Sequence, residues 1–193
     1  MPDIDIDFAD REQALSLFKH VRASRIDENK LVKHNTGVYF HEVPLNAIEN
    51  LCAVEHKDAE DKENYFKIDF LNVSLYNDIK SEKHLIQLME TEPLWDLLTE
   101  PEFSEQLFHV GGHSTVLKTM KPQSIEQLAA VLAMIRPAKR HLVGQPWDTV
   151  MKEVWTKPTN DEYYFKKSHA TAYAVAVVVH MNLMCEKISY GYK

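Results

Sequence analysis

The chain has 193 residues, of which 45% are hydrophobic and 26% are charged, and this composition excludes a low-complexity protein. Its first twenty residues lack the apolar segment of a signal peptide, its longest apolar stretch is too short and too polar for a membrane span, and its two cysteines form no disulfide framework. We therefore expect a cytoplasmic protein with no membrane association, large enough for one sizeable core or two small lobes.

The first predicted element is a strand over residues 2–8, in which acidic and apolar residues alternate with a period of two. Side chains two apart point to the same side of a strand, so Asp3, Asp5 and Asp7 share one face, opposite the apolar residues between them. Neighbouring carboxylates repel one another unless a cation neutralises them. The face therefore indicates a site for divalent metal ions, and the alternative is an acidic, solvent-facing edge strand.

Three further segments follow before the next strongly patterned strand. A helix is predicted after Asp10, which can cap its first turn, because apolar residues recur at helical spacing as far as Val21. The β-branched and aromatic residues around position 38 predict a strand over residues 37–43. Residues 46–63 are mostly polar and predict a loop or a short helix.

Residues 65–71 form another strand candidate, with Lys67 and Asp69 on one face and aromatic and aliphatic residues on the other. Two metal ions about 4 Å apart can activate an attacking hydroxyl and stabilise a leaving pyrophosphate, and a neighbouring strand normally supplies a third carboxylate. Asp69 is the candidate for that carboxylate. Lys67 could neutralise triphosphate oxygens beside the metal ions.

The second part of the chain changes character and becomes helical. A capping-box pattern of Ser124 and Gln127 precedes one predicted helix, and Pro137 closes it. The predicted helices cover residues 78–90, 93–99, 102–109, 128–135 and 169–187. Strands early and helices late predict an α+β protein with a sheet region over residues 1–77 and a helical region over residues 78–193.

Charge is distributed unevenly along the chain, whose formal net charge is −7. Residues 118–193 contain 11 basic and 6 acidic residues, whereas residues 1–117 contain 11 basic and 23 acidic residues. This asymmetry suits metal binding in the first part and phosphate contact in the second, although an uneven solvated surface would give the same counts.

Five blocks of the sequence, in the same order, resemble the C-family DNA polymerases, the alpha subunits of bacterial DNA polymerase III. Residues 2–8 resemble the aspartate-rich strand of that family's palm, residues 33–38 its Lys-His-x-x-Gly-Val strand, and residues 67–71 its second catalytic strand. Residues 117–137 resemble a segment of the fingers. Residues 165–174 are similar to the family's Phe-Asn-Lys-Ser-His-x-x-Ala-Tyr-Ala motif.

The resemblance implies a fold and a set of site residues. The fold would be a small mixed β-sheet palm of the nucleotidyltransferase (polymerase beta-like) type, built mainly from residues 2–8, 37–43 and 65–71, followed by a mainly helical fingers region. The implied catalytic and metal-binding residues are Asp5, Asp7 and Asp69. The implied nucleotide-binding residues are Lys67, Arg136, Lys167 and His169. For the last three, a polar helix surface is the alternative interpretation.

The reaction implied by this resemblance is the transfer of a deoxynucleotide from a deoxynucleoside triphosphate to a primer 3′-hydroxyl. Its cofactors would be two Mg²⁺ ions, for which Mn²⁺ can substitute. Its partners would be primer-template DNA and deoxynucleoside triphosphates. A replicative enzyme this compact suggests a phage or another mobile element as its source, in which case the protein would act in the host cytoplasm.

The chain also departs from the family. It has only about two dozen residues where family members carry a thumb, and Asn72 stands where Gly is usual. In the family a Gly-Ser motif precedes the catalytic strand, whereas here only Met1 precedes Pro2. Two alternatives therefore remain beside an independent polymerase. One is a non-catalytic relic that binds DNA, nucleotide or a replication protein, and the other is one half of a split polymerase whose partner polypeptide supplies the Gly-Ser motif.

Overall fold

The structure, a computed structural model, describes residues 4–158 and 164–191. The chain divides into two compact units, Met1–Asn77 and Asp78–Lys193. The first contains a mixed sheet and the second contains helices, so the predicted α+β class is confirmed. The strands of the described residues are β1 (Asp5–Phe8), β2 (Val21–Asp27), β3 (Lys30–Tyr39), β4 (Leu45–Asn46), β5 (Leu51–Glu55) and β6 (Ile68–Asn72). The α-helices are α1 (Arg11–Ser16), α2 (His56–Asp61), α3 (Glu82–Glu90), α4 (Pro101–Ser104), α5 (Ser114–Met120), α6 (Ile125–Met134), α7 (Trp147–Glu153) and α8 (Lys167–Gly191).

The strands form one sheet in the order β1-β6-β3-β2-β5-β4. Parallel pairs join β1 to β6 and β2 to β5, and the other neighbours are antiparallel. The first strand of the chain therefore lies at one edge, next to the last strand. The 59 residues between β1 and β6 form the rest of the sheet and its two helices.

Each face of the sheet packs against one short helix. Helix α1 buries Leu15 against Val38 and Phe70. On the opposite face, α2 buries Ala59 in a cluster that includes Tyr39. Val38 and Tyr39 are adjacent in β3 and are both fully buried, because successive side chains of a strand point to opposite faces.

The helix predicted after Asp10 is shorter than expected. Asp10 caps it as predicted, since its carboxylate accepts hydrogen bonds from the backbone N–H groups of Glu12 and Gln13. The helix ends at Ser16, and Val21 begins β2, so the prediction of a helix as far as Val21 was wrong. Strand β2 forms a hairpin with β3, and tertiary pairing overrides the helical spacing of the apolar residues.

The hairpin turn explains why β2 escaped prediction. Its two central residues, Glu28 and Asn29, both have positive φ angles of 47° and 61°. A two-residue hairpin loop commonly needs φ above zero at both positions, which favours Asn-Gly or Gly-Gly. Glu28 is not a residue that indicates a tight turn, so the sequence here did not reveal the hairpin.

Other boundaries also differ from the predictions. Residues 46–63, predicted to be a loop or a short helix, contain the short helix α2, but they also contain the end of β4 and all of β5, which were not predicted. The strand predicted over residues 37–43 begins earlier, at Lys30, and ends at Tyr39. Strand β1 covers Asp5–Phe8 of the predicted residues 2–8, of which Pro2 and Asp3 lie outside the described residues.

The helical unit is built around α6 and α8. Every residue from Leu128 to Met134 is buried, and α8 contributes small and branched residues to the same core, beginning at Ala170. The capping prediction for α6 is confirmed, because the Ser124 hydroxyl accepts a hydrogen bond of 3.2 Å from the backbone N–H of Gln127. Among the described residues, no helix is both long and apolar enough to cross a membrane.

Candidate active site

Three aspartates lie on one face of the sheet at its β1 edge. In the parallel pair of β1 and β6, Asp5 is the direct register partner of Asp69. Asp7 lies two residues after Asp5 and therefore on the same face. Asp5 and Asp7 are exposed, whereas Asp69 is only 9% exposed because β6 lies inside the sheet. Asp3, the first aspartate of the predicted acidic face, lies outside the described residues.

The carboxylate of Asp69 is held by two donors. Its Oδ2 pairs with the ammonium group of Lys67, and its Oδ1 accepts a hydrogen bond of 2.6 Å from the Thr36 hydroxyl. Burial by itself would raise the pKa of Asp69, but the hydrogen bonds from Lys67 and Thr36 outweigh it and leave the pKa below its usual value. Asp69 is therefore a carboxylate anion at neutral pH, as a metal ligand must be.

Lys67 is buried between acidic groups. Its side chain is only 7% exposed, and its ammonium group also lies 3.9 Å from a carboxylate oxygen of Glu60 on α2. The stem of Lys67 passes over Gly37, where a Cβ atom would lie 2.7 Å from Cδ of the lysine. The Lys67 side chain thus lies so close to the backbone at position 37 that the site favours glycine.

Asp7 has a different environment. Its Oδ2 accepts a weak hydrogen bond of 3.4 Å from the Tyr76 hydroxyl. Desolvation raises the pKa of Asp7 above its usual value of 3.8, and the hydrogen bond from Tyr76 only partly opposes this. The proton therefore leaves Asp7 at a higher pH than it leaves Asp69.

The carboxylates share a face without converging on one point. Within the part of the chain that the structure describes, no three His, Cys, Asp or Glu side chains form a group that could hold a metal ion. Mutual repulsion of like charges on neighbouring strands gives a physical reason for this open arrangement of Asp5, Asp7 and Asp69.

Helix α1 fixes the end of β6 on the other side of the site. The backbone N–H of Arg11 donates to the Asn72 side chain at 2.8 Å, and the Arg11 guanidinium donates to the Asn35 carbonyl. Asn72, where the C-family polymerases usually have Gly, therefore has a structural contact of its own.

In the helical unit, Arg136 and His169 lie against the same aromatic ring. The Arg136 guanidinium carbon is 5.2 Å from the ring centroid of Phe165, and the ring of His169 stacks on Phe165 at 6.4 Å. The Nε atom of Arg136 is buried and has no hydrogen-bond partner among the described residues. The ring of Tyr173 also stacks on Phe165, with 5.6 Å between the ring centroids, and its centroid lies 4.1 Å from that of His109, so these rings form one aromatic cluster.

Lys167 occupies a different position in this unit. It is exposed at the start of α8, with its ammonium group 3.7 Å from a Glu126 carboxylate oxygen and 6.0 Å from the ring centroid of Trp155. Of the three nucleotide-binding residues predicted in the helical unit, the aromatic cluster thus brings together Arg136 and His169.

Several residues near the aspartates were not recognised from the sequence. Thr36 and His34 lie within the motif that resembles the Lys-His-x-x-Gly-Val strand, so that motif offered a signal for them. Glu60 and Tyr76 belong to no recognised motif, and only folding brings them to Lys67 and Asp7.

Comparison with protein-family models found no match for this chain, and comparison with curated proteins likewise found none.

Proposed function

We propose that the chain is a compact DNA-directed DNA polymerase of the C-family type. It would act in the cytoplasm and transfer a deoxynucleotide from a deoxynucleoside triphosphate to the 3′-hydroxyl of a primer. The observation that carries this proposal is the register of β1 and β6, in which Asp5 pairs with Asp69 and Asp7 lies on the same face. That arrangement supplies three carboxylates on adjacent strands beside a buried lysine, Lys67.

The donor chemistry of the three aspartates suits Mg²⁺, and binding would require them to close together from the open arrangement described above. Hard divalent cations prefer carboxylate oxygens, and Asp5 and Asp7 are exposed to solvent while Asp69 is held in its anionic form. Asp5, Asp7 and Asp69 would hold the two ions. When bound, such ions lower the pKa of an attacking hydroxyl and neutralise charge on the leaving pyrophosphate.

The protein's own residues would bind and orient the nucleotide. Lys67 would contact triphosphate oxygens as a compact positive charge. In the helical unit, Arg136 is held against the Phe165 ring with its Nε unpaired among the described residues, which leaves donor capacity for an anion. Taken by itself, the helical unit also offers Lys167 and His169, in the first turn of α8, as candidate phosphate contacts.

Primer extension tests the proposal directly. A labelled primer on a DNA template is incubated with deoxynucleoside triphosphates and Mg²⁺ or Mn²⁺, using the wild type and the double variant Asp5→Asn/Asp7→Asn. We expect extension by the wild type and a loss of about a thousandfold in the variant, because metal-ion stabilisation of the transition state is removed.

The matched control is Asp27→Asn/Asp58→Asn, which removes two exposed carboxylates of the same unit that pair with Arg25 and Lys62. This control should extend primers like the wild type. Absence of extension by the wild type, together with equal DNA binding by the wild type and Asp5→Asn/Asp7→Asn, would contradict the proposal.

A second candidate function is a non-catalytic module that binds DNA, nucleotide or a replication protein. The observation that favours it is the occupation of both oxygens of Asp69 by Lys67 and Thr36, which a metal ion would have to displace. The same experiment separates the two functions, since such a module binds DNA without extending a primer.

A further inference from the structure

A side chain that no catalytic role explains controls the shape of β3 beside Asp69. The Nδ1 atom of His34 lies 2.9 Å from the backbone nitrogen of Gly37 and 3.3 Å from that of Thr36, and it accepts a hydrogen bond from each. These bonds bridge residues 34–37 of β3, where the register with β2 shifts between Arg22 and Ser24, and we call this irregular segment the 34–37 bend.

We propose that His34 is a positioning residue, whose Nδ1 atom holds the 34–37 bend in the shape that presents Thr36 to Asp69 and leaves room for Lys67. The significance of this role for catalysis rests on the proposed function, whereas the geometry of the bend does not.

The bend resembles an Asx-turn in its hydrogen bonding. In such a turn, the side-chain oxygen of Asn or Asp accepts from a backbone N–H two residues further along the chain. In His34, the Nδ1 atom occupies the position of that oxygen. An acceptor at Nδ1 requires the proton to be on Nε2, so the ring is in one defined neutral tautomer.

The surroundings of the ring are consistent with that tautomer. The nearest oxygen of Asp69 is 3.7 Å from Nδ1, beyond hydrogen-bond distance, whereas the Gly37 nitrogen is within it. The ring of His56 packs edge-on against that of His34, with 4.8 Å between the ring centroids, and limits its rotation.

The bend acts on both partners of Asp69. Thr36 lies inside it, and its hydroxyl donates to Asp69 at 2.6 Å. Gly37 closes it, and the stem of Lys67 crosses the space where a Cβ at Gly37 would stand. If the bend opened, the Thr36 hydroxyl would move away from Asp69 and the path of Lys67 would change. The placement of both partners of Asp69 therefore depends on the acceptor at Nδ1.

The isosteric variants His34→Asn and His34→Gln test this role. The Oδ1 atom of Asn takes the position of Nδ1, whereas the amide of Gln extends toward the position of Nε2. At about pH 8, we measure hydrogen exchange of the Gly37 amide by NMR, and in a separate titration the pKa of Asp69 from its carboxyl ¹³C shift. His20→Asn, whose ring lies outside the bend, is the control.

We expect His34→Asn to keep Gly37 exchange close to that of the wild type and the Asp69 pKa below 3.8. In His34→Gln, exchange should be about tenfold faster, as loss of roughly one hydrogen bond predicts, and the Asp69 pKa should rise. Equal changes in the Asn and Gln variants, or no change in the Gln variant, would overturn the inference.

Primer extension by the same variants links the bend to catalysis. His34→Gln should lower kcat more than it raises KM for the nucleotide, and His34→Asn should restore most of kcat. If the wild type extends no primer, the proposed function fails, while Gly37 exchange and the Asp69 pKa still decide whether His34 positions the bend. Normal extension by His34→Gln despite faster exchange would overturn the catalytic part of the inference.

Discussion

Two aspartates of the candidate site differ in the pH at which they ionise. Burial opposes ionisation of both, but Asp69 has the ammonium group of Lys67 and the hydroxyl of Thr36 as donors, whereas the donor to Asp7 among the described residues is the Tyr76 hydroxyl, in a long hydrogen bond. The pKa of Asp69 is thereby lowered and that of Asp7 is raised. Neighbouring carboxylates with separated pKa values would give the proposed metal site a pH dependence of its own.

At the residue scale, this predicts how Mn²⁺ affinity varies with pH. A proton competes with the metal for a carboxylate, so affinity should fall as the pH is lowered through the raised pKa of Asp7, above 3.8, while Asp69 is still ionised. In Asp7→Asn, the remaining affinity should fall only at lower pH. Calorimetry with Mn²⁺ between about pH 7 and pH 4 measures both curves, and superimposable normalised curves would contradict the prediction.

At the scale of the elements, the side chain of Lys67 passes so close to Gly37 of β3 that no larger residue fits at position 37 without a shift of its neighbours. A Cβ on Gly37 would lie 2.7 Å from Cδ of Lys67 and 3.0 Å from the Cβ of Ala23 and from Nδ1 of His34. Ala23 lies in β2, His34 lies in the 34–37 bend and Lys67 directly precedes β6. A methyl group at position 37 would therefore clash with side chains from three segments of the sheet unit.

We predict that Gly37→Ala lowers the free energy of unfolding by about 2 kcal/mol, the usual cost of overpacking a filled site. Part of this cost should disappear in a Lys67→Ala background, because the closest atom is then missing. Denaturant unfolding of the two single variants and the double variant measures the difference. If Gly37→Ala costs the same in both backgrounds, the contact with Lys67 is not its cause.

At the scale of the whole molecule, the sign of charge changes along the chain. The excess of acidic residues in the first part, within a net charge of −7, disfavours contact with DNA phosphates there. The basic excess after residue 118 belongs to the helical unit, where Lys152 and Lys157 are exposed.

This distribution predicts that the affinity for primer-template DNA falls as the salt concentration rises, and that basic residues of the helical unit cause this dependence. Each phosphate contact contributes a slope of about −0.9 to the plot of log affinity against log salt concentration. We expect Lys152→Gln/Lys157→Gln to make that slope less negative, by up to about two such contacts, and Lys30→Gln/Lys62→Gln in the sheet unit to leave it unchanged. Fluorescence anisotropy at several salt concentrations measures the slopes. An equal effect of both pairs would place the DNA contacts elsewhere.

Short-range patterns in the sequence, each spanning only a few residues, predicted part of this structure. The period-two pattern around Asp5 and Asp7 predicted a strand, Asp10 and Ser124 predicted helix caps, and strands early with helices late predicted the α+β class. Each of these features depends on hydrogen bonds or side-chain directions inside one short segment, so the local sequence determines it.

Only the tertiary structure decided the contacts made between distant segments. The Thr36 hydroxyl contacts Asp69, 33 residues further along the chain, and the Tyr76 hydroxyl contacts Asp7, 69 residues before it. The register that pairs Asp5 with Asp69 joins the first and the last strand of the sheet, whose spatial order differs from the order of the strands in the sequence. The strand beginning at Val21 forms because it pairs with β3 and β5, although Val21 continues the helical spacing of the apolar residues before it. The types of residue at the candidate site were therefore visible in the sequence, whereas the donors that set the ionisation of Asp7 and Asp69 depend on how the sheet assembles.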